Sequence, residues 1–450
     1  MRPLFYLLVC ANVFNMAHLG LYIVGANLYD VRTFLRKKQA SLASTPTRRK
    51  QRPLVSVVVP AHNEEQGITR TLDSIRANTY GRTEIIVIDD GSTDKTPAIV
   101  RNYIKHAPLF QVKTYMARYS RTSQLTRRYV RADVAKTRMI LVSQVNAGKG
   151  SAMNNAIENH VRGKLVMCLD ADTILHPEAI ERSVRYFDNP QIMGVAANVR
   201  IMESKSLLGI VQRFEHMIGY RSKKFYTLTN SEFVVGGVAS TYRTKIVKEV
   251  NYYDTDTMTE DIGLSIKMTA LKGNRNHRIV YAADVVAETG GVLSFKALLR
   301  QRYRWKMGCL QNLLKYRYLL GNRDRTKYSR MLTMYRLPMA FLSELQLVLE
   351  PAILGYVVYL SIAYHTWLIL IGAYLTITLY VLWTLWPDEH LTNKQKLKMT
   401  LQAGEVYALF YIMDTVQIAA IFHCLFNYKT VVKRDVPTSW ISPARVTQPA

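Results

Sequence analysis

Leu165-Val166-Met167-Cys168-Leu169-Asp170-Ala171-Asp172 is the stretch that decides how the rest of the chain is read. An apolar run this short, introduced by Gly163-Lys164, has the length of a buried strand and not of a helix. Asp170 and Asp172 are two residues apart and point to the same side if the backbone stays extended. Side by side, two carboxylates repel each other unless a cation lies between them. Hard oxygen ligands favour Mg²⁺ or Mn²⁺ over zinc, and Mg²⁺ is usually held by one or two carboxylates together with substrate phosphates. The structural alternative is an Asp-rich turn that caps the following helix at Pro177.

Working outward, two more runs of the same kind lie upstream. Residues 54–60, LVSVVVP, read as a buried strand followed by the loop Ala61-His62-Asn63-Glu64. Ile68, Leu72 and Ile75 then recur at helical spacing. Residues 84–89, EIIVID, form a strand that ends in Asp89-Asp90-Gly91-Ser92-Thr93-Asp94, and a helix through Ile99, Val100 and Tyr103 comes next. A further strand falls near Met139–Ser143. Strands alternating with helices of this length imply an α/β fold around a parallel sheet, in which ligands bind beyond the carboxyl ends of the strands. Asp89, Asp90, Asp170 and Asp172 all fall at such ends and are expected to share one crevice.

Asn146-Ala147-Gly148-Lys149-Gly150-Ser151 invites comparison with a phosphate-binding loop, but that motif needs Gly where Ser143 stands. Lys149 at a helix start can meet a diphosphate, or be a solvated residue beside a helix cap. Gly236-Gly237 signals a close backbone approach to a ligand, or a tight turn. Glu260 and Asp261 open an amphipathic helix, where acids also serve simply to complement the helix dipole. Gln301, Arg304 and Trp305 share one helical face. An Arg and an indole there can bind a diphosphate and stack on a sugar, or form a packed cation–π pair.

The chain has 450 residues, with 60 Lys plus Arg against 33 Asp plus Glu, a formal charge of +27. That excess points to anionic partners: nucleic acid, an acidic membrane surface or phosphorylated substrates. The basic residues concentrate in the linker, in the stretch 112–138 and beside the apolar segments, as contact with anionic lipid predicts. The stretch 112–138 reads as a solvated basic insertion. Cys10, Cys168, Cys309 and Cys424 are scattered, which excludes a zinc ribbon or a disulfide framework.

Residues 3–29 carry no charge, enough for a transmembrane helix, and the basic flank after Asp30 places the residues beyond it on the cytoplasmic side. Residues 31–53 read as a basic linker, 54–292 as a cytosolic α/β domain and 293–330 as interfacial helices. A membrane region of two to three spans is expected over 331–430, with a basic and polar tail over 431–450. The spans start near Leu337, run near Trp367–Trp386 and occupy 402–427, enclosing Glu344, Glu350 and Asp414. Acids at such depth face a polar interior. Leu207, Val211, Phe214 and Ile218 recur on one face of a helix that suits either the membrane surface, the favoured reading, or packing on the sheet.

Taken together and in order, VSVVVPAHNEE, VIDDGSTD, NAGKG, CLDADT, MTEDIGLS and QRYRW resemble the membrane-embedded, processive family-two glycosyltransferases. These comprise the cellulose, chitin, hyaluronan and poly-N-acetylglucosamine synthases. DTDTMTEDIGLSIKM and TSWISPAR look most like the bacterial poly-β-1,6-N-acetylglucosamine synthases, whereas Lys306-Met307-Gly308-Cys309 departs from the pattern. The resemblance implies a glycosyltransferase type-A domain, Rossmann-like with a mostly parallel sheet, plus transmembrane and interfacial helices. It implies that Pro60, Glu64, Asp89 and Lys149 contact the uridine part of a UDP-sugar. Asp170 and Asp172 would hold nucleotide phosphates, with Asp172 the direct ligand of Mg²⁺ or Mn²⁺. Asp261 would be the general base, Glu260 would shape the acceptor site, and Gly237 would border it. Gln301, Arg304 and Trp305 would bind the diphosphate and the acceptor's terminal sugar. The implied partners are a UDP-sugar, a growing polysaccharide, the lipid bilayer and a small membrane accessory subunit, with no nucleic acid. The rival readings are a non-processive transferase acting on a lipid carrier, and a basic membrane-anchored nucleic-acid-binding or scaffold protein.

Overall fold

The computed structural model describes residues 2–42, 52–106, 111–115, 128–133, 138–204 and 206–429. The expected tail 431–450 and part of the basic linker lie outside the described residues. The chain opens with α1 (Arg2–Leu42) and enters the sheet at β1 (Val55–Ala61). After it come α2 (Ile68–Arg76), β2 (Thr83–Asp90), α3 (Thr96–His106), β3 (Gln111–Tyr115), β4 (Arg128–Asp133) and β5 (Arg138–Gln144). Next are α4 (Lys149–Asn159), β6 (Leu165–Cys168), β7 (Ile174–Leu175), α5 (Ala179–Tyr186), β8 (Ile192–Ile201) and α6 (Leu207–Leu228). Then β9 (Ser240–Arg243), α7 (Thr244–Glu249), α8 (Glu260–Lys272) and β10 (Arg278–Thr289) complete the domain. Four longer helices close the chain: α9 (Phe295–Lys315), α10 (Leu337–Ala363), α11 (Leu368–Leu385) and α12 (Asn393–Phe426).

One ten-stranded sheet runs in the order β3-β4-β5-β2-β1-β6-β9-β8-β10-β7. The central run β5-β2-β1-β6 is parallel throughout, so its carboxyl ends at Gln144, Asp90, Ala61 and Cys168 open on one side. Both faces of this run are covered. Val55, Val57 and Val59 pack under α2 and α3, while Val58, Ile86 and Ile88 pack under α4. Burial on both faces is why these strands read as unbroken apolar runs, and each such side chain contributes about 1.5–3 kcal/mol. Antiparallel pairing enters on the flanks, in β3-β4-β5, in β10-β7 and in β9 wedged between β6 and β8, while β8 and β10 pair in parallel.

Part of the basic stretch 112–138 forms strands: β3 and β4 make an antiparallel pair that extends the sheet edge from β5. Residues 116–127 and 134–137 lie outside the described residues. Helix α1 continues beyond Asp30 to Leu42, through the start of the expected linker. It packs on α6, with Lys224 bridging to Asp30 at 2.6 Å and Arg221 donating to Asn27 at 2.9 Å.

Much of the apolar face of helix α6 packs on protein. Its Phe214 is buried among Val381, Leu385, Met399, Ala403 and Val406 of α11 and α12, while Leu208 and Val211 pack with Met413. Helical periodicity identifies an apolar stripe without saying what covers it. Among the described residues, two helices are long and apolar enough to cross a membrane, Met331–Ala363 and Ala408–Phe426; the apolar part of α11, Leu370–Leu385, is shorter. Leu345, Ile362 and Phe422 lie exposed on their outer surfaces, where a lipid environment removes the cost of bare apolar area.

Candidate active site

The loops after the four parallel strands are tied to one another. Asp90 at the end of β2 is fully buried, and its carboxylate accepts from Gln144 at 2.7 Å and from the backbone amides of Ala147 and Gly148 at 3.0 and 2.9 Å. Gly91, at φ 72°, lets this loop pass beside Asn146, where a Cβ would meet the backbone nitrogen at 2.7 Å. Asp89 is also buried and accepts from the Ser92 amide at 3.1 Å. The Glu64 amide is held by Thr96 at 2.8 Å. The loop after β1 packs on the loop after β6: Thr71 donates to the Ala171 carbonyl at 2.7 Å, and a Cβ on Gly67 would stand 3.2 Å from the Asp172 Cα.

Lys149 begins α4 and is not a solvated residue. Its Nζ lies 2.6 Å from Asp170 Oδ1 and 3.4 Å from Glu260 Oε1. Burial opposes its charge, but Asp170, Glu260 and, more weakly, Asp261 hold the ammonium well above the usual lysine value. A Cβ on Gly237 would stand 2.7 Å from Lys149 Nζ and 3.3 Å from Asp261 Oδ2, so the glycine backbone lies against both groups. Burial pushes the Asp261 carboxyl up to about 6; Glu260 adds to the rise, while Lys149, the Ile262 amide and Arg304 oppose it. Asp172 accepts from the hydroxyls of Thr173 at 3.2 Å and Thr289 at 3.3 Å.

Helix α9 is fastened to the start of α8. Asn312 Nδ2 donates to the Thr259 carbonyl at 3.1 Å and to Thr257 Oγ1 at 3.2 Å, and Gln311 accepts from the Met258 amide at 2.9 Å. Lys315 bridges Asp254 and Asp256, both at 2.7 Å. Gly308 makes this approach possible, because a Cβ there would sit 2.7 Å from the Thr259 backbone nitrogen. The segment that departed from the family pattern therefore has a packing reason. Seated in this way, Gln301, Arg304 and Trp305 line one cavity with Lys149, Asp170, Gly237, Glu260 and Asp261. The cavity measures about 430 Å³.

Pro60, Glu64, Asp89 and Asp172 do not line that cavity; they occupy the adjoining strand ends. Sequence reasoning missed Asp90 as the clamp on the 144–148 loop, although the Asp89-Asp90 pair marked the place. It also missed Arg302, which bonds Glu215 of α6 at 2.6 Å and stacks 4.4 Å over the Trp305 ring. Arg302, and not Arg304, makes the cation–π pair. Glu344 of α10 pairs with Lys306 at 2.5 Å.

The oxygen donors after β6 are Asp170, paired with Lys149, and Asp172, beside the hydroxyls of Thr173 and Thr289; among the described residues no group of three or more His, Cys, Asp or Glu would cage a metal. This set fits a hard cation that draws its remaining ligands from substrate oxygens and water.

Residues 52–308 match the family model described as Glycosyltransferase like family 2, and the chain belongs to that family. It is 29% identical over 269 residues to a poly-beta-1,6-N-acetyl-D-glucosamine synthase of Staphylococcus epidermidis, which covers 58% of this chain and 56% of the relative. The synthase of the same name from Staphylococcus aureus strain COL is 30% identical over the same shares. The chain thus spans little more than half the length of the curated relatives it matches. Among solved structures it resembles a mannosyltransferase from Pyrobaculum calidifontis in complex with GDP-Man and Mn²⁺, with a TM-score of 0.54, 19% identity and coverage of 91% of this chain and 99% of that one. That likeness establishes the shared glycosyltransferase fold.

Proposed function

We propose that this chain transfers a sugar, N-acetylglucosamine, from a UDP-sugar to the end of a growing β-linked polysaccharide with inversion at the anomeric carbon. The observation that carries the reading is the cavity in which Asp261, Glu260, Lys149 and Asp170 face Gln301, Arg304 and Trp305 at the carboxyl ends of parallel strands. The names of the staphylococcal relatives support the choice of sugar and product.

An inverting transfer is a single displacement that needs one base and a stabilised leaving group. Asp261 Oδ accepts the proton of the acceptor hydroxyl, that oxygen attacks the anomeric carbon, and the bond from this carbon to the diphosphate oxygen breaks. Burial suits Asp261 to the task, since a carboxyl pushed up to about 6 is a stronger base than an exposed one. Arg304 stabilises the departing diphosphate, and Lys149 keeps Asp170 and Glu260 in place. Mg²⁺ or Mn²⁺, held by Asp172 and Asp170, would supply further charge neutralisation on the diphosphate. Trp305, steadied by Arg302, offers a stacking face for the acceptor's terminal sugar.

The apolar helices give the product a route. A polysaccharide cannot cross hydrocarbon with its hydroxyls unsatisfied, so its path lies inside a protein-lined passage. Glu344, Glu350 and Asp414 are the residues we assign to that lining, with the catalytic domain on the cytoplasmic side of a plasma or inner membrane and a small accessory subunit beside it.

Purified chain incubated with a panel of radiolabelled UDP-sugars tests the reading. Labelled polymer from UDP-N-acetylglucosamine, cleaved by a β-1,6-specific hydrolase, is the expected result. A single labelled glycolipid, or no transfer from any donor, would overturn it.

A further inference from the structure

Lys223 lines the same cavity from α6, and none of the steps above uses it. Of the other cavity cations, Arg304 is assigned to the diphosphate above, and the rest are committed to carboxylates: Lys149 to Asp170 and Glu260, Arg302 to Glu215, Lys306 to Glu344. Lys223 differs. Its Nζ donates to the carbonyl of Val234 at 2.7 Å, and among the described residues no carboxylate lies within ion-pair reach of it.

An ammonium has three N–H donors, so the bond to Val234 leaves two uncommitted. Holding such a group away from water is unfavourable unless other oxygens complete its hydrogen bonding. Burial accordingly pulls Lys223 below the usual lysine value, opposed by the charges of Glu232 and Asp261. Among the described residues Glu232 makes no ion pair with Lys223, and its Oε2 is buried without a hydrogen-bond partner. Glu232 Oε1 accepts from the Phe233 and Val234 amides at 3.0 and 2.8 Å, capping the turn that leads to Gly236-Gly237.

Position decides which substrate would complete the set. The site carboxylate whose charge reaches Lys223 is Asp261, and not Asp170, whose partner is Lys149. Val234, which accepts from Lys223, and Gly237, which lies against Asp261, both line the cavity. Asp261 is the proposed base, beside which the attacking hydroxyl must lie.

We propose that Lys223 is an acceptor-binding residue whose two uncommitted N–H groups hydrogen-bond hydroxyl or acyl oxygens of the acceptor's terminal sugar and hold its attacking hydroxyl beside Asp261. The assignment rests on the transferase reading above and adds a contact to it. A cation suits this position because it binds neutral sugar oxygens strongly without removing a proton from the attacking hydroxyl.

The test is Lys223→Met in the full chain in lipid nanodiscs, with UDP-N-acetylglucosamine as donor and N-acetylglucosamine oligomers as acceptor. Loss of a charge-assisted hydrogen bond raises the KM for the oligomer about 10- to 100-fold. UDP affinity and the thermal midpoint stay at the unsubstituted values, and Lys223→Arg recovers most of the loss. An unchanged acceptor KM overturns the assignment. So does a joint fall of UDP affinity, thermal midpoint and acceptor binding, which would make Lys223 only a clamp on Val234. No transfer by the unsubstituted chain would overturn the transferase reading itself, and the Lys223 assignment with it.

Discussion

Replacing Gly237 by Ala perturbs the site with one methyl group. The new Cβ would stand 2.7 Å from Lys149 Nζ and 3.3 Å from Asp261 Oδ2, whereas ordinary contact begins at 3.4 Å. The backbone at Gly237 is not in the left-handed region, and the Lys149 side chain is long, so the ammonium retreats while the fold stays intact. A retreat of about 0.7 Å, from 2.7 to 3.4 Å, is enough to weaken the 2.6 Å bond to Asp170 and to break the 3.4 Å pairing with Glu260. A charge-assisted hydrogen bond contributes about 1.5–3 kcal/mol, which corresponds to about a 10- to 100-fold fall in transfer rate. The assay is radiolabel incorporation from UDP-N-acetylglucosamine, run beside a thermal melt. The expected result is the lowered rate with a single cooperative melt whose midpoint falls by about 3–12 °C, because roughly 1 kcal/mol moves the midpoint of a domain this size by ~2–4 °C. Unchanged transfer would refute the reasoning, since it would mean that the Lys149 contacts do not matter to the reaction.

The same geometry sets further expectations. Asp261→Asn removes the base and lowers transfer by about 10²–10⁴-fold while UDP affinity, measured by calorimetry, survives. The acid limb of kcat/KM should bend near pH 6: below it the raised Asp261 carboxyl is protonated and cannot accept the hydroxyl proton, and above it the base form prevails. EDTA should stop incorporation and added Mg²⁺ or Mn²⁺ should restore it, whereas full activity in chelator would remove the cation from the account. Gly308→Ala forces a Cβ to within 2.7 Å of the Thr259 backbone, so it should separate α9 from α8 and lower both activity and the thermal midpoint.

The parts legible in the sequence were those built on burial. Val55 to Val59, Ile85 to Ile88 and Leu165 to Leu169 are covered on both faces, and their continuous apolar character announced parallel strands whose ends carry Asp89 and Asp170. The pair β3 and β4 was hidden, because a two-stranded edge extension needs no continuous apolar run and this one is rich in Arg and Lys. Glu260 and Asp261 looked like first-turn helix acids. Only the docking of α9 through Asn312, Gln311 and Lys315 shows that Asp261 opens into a cavity and not into solvent. The cover over Phe214 was equally invisible, since it comes from α11 and α12, which lie far along the chain from α6. Spacing identified the shared face of Gln301, Arg304 and Trp305, but not that Glu215, on another helix, would hold Arg302 against the indole.

Photolabelling of the purified chain with a photoreactive UDP-sugar, combined with peptide mapping, is the most direct check that scattered segments form one nucleotide-sugar crevice. Crosslinks confined to peptides around Lys149, Asp170, Gly237 to Asp261 and Gln301 to Trp305, all suppressed by excess UDP, are the predicted result. UDP-sensitive labelling that falls elsewhere and spares all of these peptides would contradict the account.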